Sequence, residues 1–292
     1  MPMPTNVPII DTMLGVPSGE QKRSYDFMRP LLRDEESLRS FEFPVQYMFK
    51  DFPKVSKQED YITYTLELMD KYGIERAMTG VSLGDPNANN NVAVKKHPDR
   101  FIASCGCDPN RGMEGVRDIV RLHEEFGIKS VSAFPSGNFP QIPISDGRWY
   151  PIYAKCVELD VAFFCCMGVP GPRIPMKPQL VEQVDEICWF FPELRFVFRH
   201  GTEPWQALAV KLMLKWPNLY YSTSAFAPRH YPKAIVDYAN TRGGDKILYA
   251  GYFPMGLSLE RIFREMPQVP FRDSVWPGFL RENALRVFRL EG

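Results

Sequence analysis

Acid–base or covalent chemistry at neutral pH needs a proton carrier, a hydrogen-bond donor or a nucleophile, and this chain offers few of each. Of its four histidines, His97, His123 and His230 fall in segments that read as helices or loops. His200 alone ends an apolar run, in "FPELRFVFRHGTEPW". An imidazole with a reference pKa of about 6.5 suits a proton carrier, and its alternative role is to hydrogen-bond core backbone. Tyr252 stands at the exit of a second run, "ILYAGYFPMG". A phenol with a pKa of about 10 stays protonated and donates one hydrogen bond, so it can polarise a carbonyl; otherwise it is a space-filling aromatic. Cys166 in "VAFFCCMG" is either a nucleophile or a small core residue. Glu203, just beyond His200, is either a second acid–base group or a solvated charge. Asp11, Met13, Phe49, Phe134 and Ser224 complete the candidates, as residues that would contact a ligand.

No H-x-H pair exists, and the six cysteines have no zinc-ribbon or C-x-x-C spacing. They sit mostly in apolar segments such as "FIASCGCDP", as buried thiols do in a reducing compartment. With 35 basic and 35 acidic side chains the formal charge is zero, which argues against nucleic acid or anionic lipid as a partner. No apolar run approaches the ~20 residues of a membrane span. "MPMPTNVPIID" lacks the basic and apolar regions of a signal peptide, so a cytoplasmic protein is expected.

The elements that must position these groups repeat along the chain. Short runs rich in Val, Ile, Phe and Tyr begin near 7, 75, 101, 129, 161, 195, 219 and 247. From the second onward they start 24 to 34 residues apart, the length of a strand, a helix and two loops. The segments between read as amphipathic helices. "SKQEDYITYTLELMDKYG" opens with a capping-box pattern from Ser56 to Glu59, places Ile62, Leu66 and Met69 on one face, and stops at Gly73. "RGMEGVRDIVRLHEEFG" repeats the scheme before Gly127. Apolar strands alternating with such helices imply a parallel sheet wrapped in helices. Eight units, with no glycine-rich nucleotide loop after any strand, favour a closed α/β barrel, (β/α)8, as one domain over residues 1–292.

One interval breaks the rhythm. Residues 16–55 carry Tyr25, Phe27, Phe41, Phe43, Tyr47, Phe49 and Phe52 among many charges, and forty residues exceed a plain connection. The interval reads as a lid, which would imply a bulky apolar ligand, or as a bracing insertion. In such a barrel the βα loops build the site, which puts Asp11 to Gly15, Ser132 to Pro135, Cys165 to Gly168, Arg199 to Glu203, Ser222 to Ser224 and Tyr252 at its mouth. Strand alternation would turn Arg199 away from His200, toward the outer helices.

"IIDTMLG", "HPDRFIASCGCDP", "FFCCMGVPGP", "FPELRFVFRHGTEPW", "ILYAGYFPMG" and "ENALRVFRLEG", in this order, resemble the amidohydrolase superfamily, in the branch that includes aminocarboxymuconate semialdehyde decarboxylase. The resemblance implies a TIM barrel and makes a homodimer plausible. That branch usually holds a divalent metal through His-x-His after strand one, a His after strand five, often the His of strand six, and an Asp after strand eight. Here those positions fall on Met13 and Gly15, on Cys166, on His200 and on Tyr252, so only His200 survives. By the family's register Cys166 neighbours the His200 strand, which makes a Cys/His pair geometrically possible at a strand spacing of ~4.8 Å.

A lone imidazole with one thiol does not hold a divalent ion reliably, so no metal and no cofactor is expected. Without a metal-bound water, hydrolysis of an unactivated amide is too demanding. Lyase chemistry beside a carbonyl, or hydrolysis of an activated ester, stays within reach of a positioned acid or base. The expectation is a metal-independent lyase or hydrolase of a hydrophobic carbonyl- or carboxyl-bearing molecule, with His200 moving the proton and Tyr252 supporting the oxyanion. A non-catalytic ligand binder or scaffold of the same fold is the alternative.

Overall fold

A computed structural model describes residues 3–19, 21–39, 45, 47–49 and 53–291, with nothing said of the side chains of 21–25. Eight parallel strands form one sheet in sequential order: β1 (Ile9–Asp11), β2 (Ile74–Val81), β3 (Phe101–Gly106), β4 (Ser130–Ala133), β5 (Ala162–Cys166), β6 (Phe196–Arg199), β7 (Leu219–Ser222) and β8 (Ile247–Leu248). Each lies within an apolar run identified above or, for β2, starts one residue before it. The sheet closes on itself where Thr12 N–H donates to Tyr249 O, Tyr252 N–H to Met13 O and Gly15 N–H to Phe253 O. The result is a TIM barrel.

Alternation along the strands sorts the core into two layers. Ile10, Met78, Ile102, Phe164, Val197 and Leu248 face inward and pack on one another. Their neighbours Ile9, Ala77, Phe163, Phe196 and Phe198 join the larger core between sheet and helices. The helices α1 (Glu35–Arg39), α2 (Tyr61–Lys71), α3 (Asn89–Lys96), α4 (Gly112–Phe126), α5 (Tyr150–Glu158), α6 (Val184–Phe190), α7 (Gln206–Lys215), α8 (Lys233–Ala239), α9 (Leu259–Glu265) and α10 (Asn283–Phe288) follow in order. The last seals the bottom of the barrel: Phe288 stacks on Phe164 at 5.5 Å, and Arg195 donates from Nε to Val287 O.

α4 ends as expected at Gly127, whose φ of 61° supplies the left-handed C-cap. α2 does not use the Ser56/Glu59 box: Asp60 caps it, accepting from Ile62 N–H at 2.8 Å and Thr63 N–H at 3.3 Å. An aspartate directly before the helical run outcompetes a serine four residues upstream. Among the described residues no helix is long and apolar enough to cross a membrane.

Candidate active site

The C-terminal ends of the strands open into a cavity of about 1360 Å³. Strand exits lie side by side there, and their backbones are bent hard to aim side chains inward. His200 has φ 62°, Ala225 69° and Tyr252 91°, values that bulky residues adopt only where surrounding structure enforces them. Gly168 after β5, at φ 87°, lets its loop press on the backbone of 202–203, where a Cβ would come within 2.6 Å of Thr202 and Glu203. Val169 N–H then donates to Glu203 O at 2.8 Å, tying the two loops together.

His200 and Tyr252 meet in this cavity, ring centroids 5.3 Å apart and edge to face. The Oγ of Ser224 accepts from the backbone N–H of His200 at 3.2 Å and lies 3.1 Å from its Nδ1. Burial, with the charge of Arg199 beside it, pulls the imidazole pKa down to about 3. His200 is therefore neutral at physiological pH. Tyr252 is 9% exposed, packs against Phe49 at 6.0 Å, and has room for its ring because Gly256 carries no Cβ, which would sit 2.6 Å from it.

Cys166 also lines the cavity, paired in register with Arg199. Burial pushes its thiol up to about 11, so it stays protonated and is a poor nucleophile. Glu203 lies at the rim, exposed, accepting from Gln206 Nε2 at 3.1 Å. Met13, Phe49 and Phe134 line the wall. Ser224 touches His200 rather than the cavity. Asp11 is outside the lining too: it is completely buried on the other face of β1, its Oδ1 accepting from Met13 N–H at 2.9 Å and Gly251 N–H at 2.8 Å, with Tyr249 near its other oxygen. Burial raises its pKa to about 6. Asp11 thus braces the seam between β1 and the chain after β8.

Arg199 overturns its expected direction. Val197 faces inward, so the same alternation that was read as turning Arg199 outward brings it into the barrel, and His200 returns to the cavity only through its positive φ. The Nη2 of Arg199 contacts Met13 Sδ at 2.7 Å. His230, set aside with the loop histidines, reaches the rim and accepts from Arg229 Nε at 3.0 Å. The phase of "RFVFR" against its apolar neighbours was the available signal for Arg199; none existed for His230.

From the interval 16–55, Phe27, Met28, Val45, Tyr47, Met48 and Phe49 line the cavity. Arg173 ties it to the loop after β5 through Asp34 at 2.9 Å and Glu36 at 2.7 Å. Phe41, Phe43 and Phe52, and the side chain of Tyr25, lie outside the described residues.

A family model described as amidohydrolase matches residues 53–290. The chain belongs to the amidohydrolase family. Over 132 residues this amidohydrolase-family protein is 30% identical to 2-keto-4-carboxy-3-hexenedioate hydratase of Sphingobium sp., a match that spans 39% of this chain and 39% of the hydratase's own length. An uncharacterized TIM-barrel protein from Bordetella bronchiseptica superimposes with a TM-score of 0.73 at 21% identity, over 97% of this chain and 99% of that one. A 5-carboxyvanillate decarboxylase from Novosphingobium aromaticivorans, solved with bound manganese and 3-methoxy-4-hydroxy-5-nitrobenzoic acid, gives 0.63 at 16% identity, over 98% of each chain.

The positions that the resemblance assigns to metal ligands carry side chains ill suited to a divalent ion. They present a thioether (Met13), no side chain (Gly15), a single thiol (Cys166), an imidazole with Ser224 at one nitrogen (His200) and a phenol (Tyr252). A dication wants three or four deprotonated ligands. The guanidinium of Arg199 in the same cavity repels one further. Among the described residues no three His, Cys, Asp or Glu side chains converge on a common point.

Proposed function

We propose that this protein is a metal-independent enzyme of the amidohydrolase family, a lyase acting next to a carbonyl in an apolar substrate, with hydrolysis of an activated ester as the neighbouring activity. The observation that carries the reading is the pair of His200 and Tyr252, two neutral side chains held edge to face at one strained barrel mouth. Tyr252 donates its O–H to the carbonyl oxygen. The Ser224 hydroxyl, which already accepts from the His200 backbone, donates its own proton to Nδ1, so that Nε2–H of His200 is the second donor. Two neutral donors on one oxygen stabilise the enolate formed when the bond from Cα to a carboxylate breaks, CO2 departing and the electron pair passing to the carbonyl oxygen, or when water adds at the β carbon of an enoyl substrate and loses its proton to solvent. A neutral imidazole suits that role better than an imidazolium, which would protonate the oxygen outright. The amidohydrolase family and the names of the hydratase and decarboxylase relatives support a lyase. The aromatic and methionine-rich roof supports an apolar substrate.

The test is a panel of β-hydroxy acids, β-keto acids, enoates and activated esters after dialysis against a chelator. Turnover should persist without metal. Tyr252→Phe should lower kcat by about 10²- to 10³-fold, the loss typical of one oxyanion donor, with the folding midpoint unchanged. About one tightly held metal per chain on which turnover depends, or no turnover of any class, would end this reading; the second outcome favours the non-catalytic binder.

A further inference from the structure

We infer that Arg199 is a carboxylate-binding residue, and that the ligand of this cavity is an organic acid whose carboxylate meets the guanidinium while its apolar body lies under the roof. This rests on the reading of the cavity as the substrate site, and it names the substrate class.

Two arginines among the described residues are more than nine-tenths buried, and they contrast sharply. Arg195, 6% exposed, satisfies its guanidinium within the fold: Nε on Val287 O, Nη2 on Asp160 O and Nη1 on the Asp160 carboxylate. It is a structural residue at the barrel floor. Arg199, 8% exposed, has no acidic partner among the described residues; one nitrogen contacts the thioether of Met13, a weak acceptor, and the buried Nε has no hydrogen-bond partner among them. A guanidinium presents five donors in a planar fork and stays charged at any physiological pH. Left unpaired away from water it is costly, and buried charges are as a rule paired.

The missing partner must reach it through the cavity, which Arg199 lines together with His200, Cys166, Met13 and Tyr252. Of the other arginines that line the cavity, Arg229 and Arg261 share Glu265 at 3.8 and 3.1 Å, and Arg264 is exposed to water. The buried positive charge with no acidic partner among them is the inner one, Arg199. A carboxylate matches its fork with two parallel hydrogen bonds. Beyond the charge the wall turns apolar, with Met78, Phe134, Val169 and Phe49, so the rest of the acid is apolar. Arg199 thereby supplies, with a fixed side chain, the positive charge that a metal supplies in metal-dependent barrels.

Benzoate, cinnamate and crotonate, each against its own amide, provide the test by calorimetric titration of the full-length protein. In at least one pair the acid should bind about 10- to 100-fold more tightly than the amide, and more weakly as salt rises. Arg199→Met should erase that preference by weakening the acid and leaving the amide unchanged; Arg199→Lys should retain part of it, as a point charge without the fork. Equal binding of acid and amide in every pair, absence of binding included, overturns the assignment, as does a preference that survives in Arg199→Met. Turnover is a separate readout: a carboxylate preference in a protein that converts nothing sinks the enzyme and keeps the site, and turnover without that preference does the reverse.

Discussion

Replacing Arg199 by methionine should make the protein more stable, not less. Methionine keeps most of the aliphatic stem and the contact with Met13 but removes a buried charge. Desolvating an ion costs several kcal/mol even after relaxation, and replacing buried charge with apolar groups is often stabilising by about 1–4 kcal/mol. Arg199 borders an open cavity, so solvent screens part of that cost, and about 1–3 kcal/mol is the expected gain. An unfolding entropy of about 2.1 cal/mol/K per residue gives a 292-residue chain about 0.6 kcal/mol/K, so the midpoint should rise by about 2–5 °C. Differential scanning calorimetry reads it directly. A carboxylate at about 100 times its Kd should add about 2.7 kcal/mol to the wild type and nothing to the variant, which brings the two midpoints back together. If the variant instead melts lower by more than about 2 °C, the guanidinium holds the fold together. The reasoning from its missing partner then fails.

The Asp11 seam and the two shifted groups give further tests. In Asp11→Asn the amide oxygen can still accept from Met13 and Gly251, so urea denaturation should find it within about 1 kcal/mol of wild type. Asp11→Ala strands both buried N–H groups and should lose about 2–5 kcal/mol; similar losses in the two variants would mean that the carboxylate charge matters more than its acceptor. The pH dependence separates His200 from Asp11. His200 is held down to about 3 from an unfolded value of about 6.5, so the unfolded chain takes up its proton first, and stability from this group is full above pH 6.5 and falls as pH drops toward 3. Asp11, raised to about 6 from about 3.8, acts oppositely: its stability is full below 3.8 and is lost as pH rises through 6. Denaturation curves of His200→Gln should therefore gain on wild type as pH falls from 7 to 4, by less than about 1.4 kcal/mol per unit because cavity water screens the site, and those of Asp11→Asn should lose ground over the same range. Curves that stay parallel to wild type would contradict both shifts.

The amino-acid sequence by itself determined the barrel. Eight apolar runs at strand-plus-helix spacing leave few other ways to bury both faces of each strand, and the same runs located the exits that carry Cys166, His200 and Tyr252. It also singled out the interval 16–55, several of whose described residues border the cavity. Tertiary structure decided what those residues can do. Inward and outward positions alternate every residue, so an error of one in the phase of a four-residue strand exchanges Arg199 for Phe198, and only the packed barrel fixes that phase. His200 escapes the alternation through a left-handed backbone that no local signal announced. Its neutral imidazole, the protonated thiol of Cys166 and the raised pKa of Asp11 follow from burial, which depends on contacts between residues as much as 240 positions apart. A linear sequence carries the identity of each charge, but the free energy of that charge belongs to the surroundings the fold builds around it.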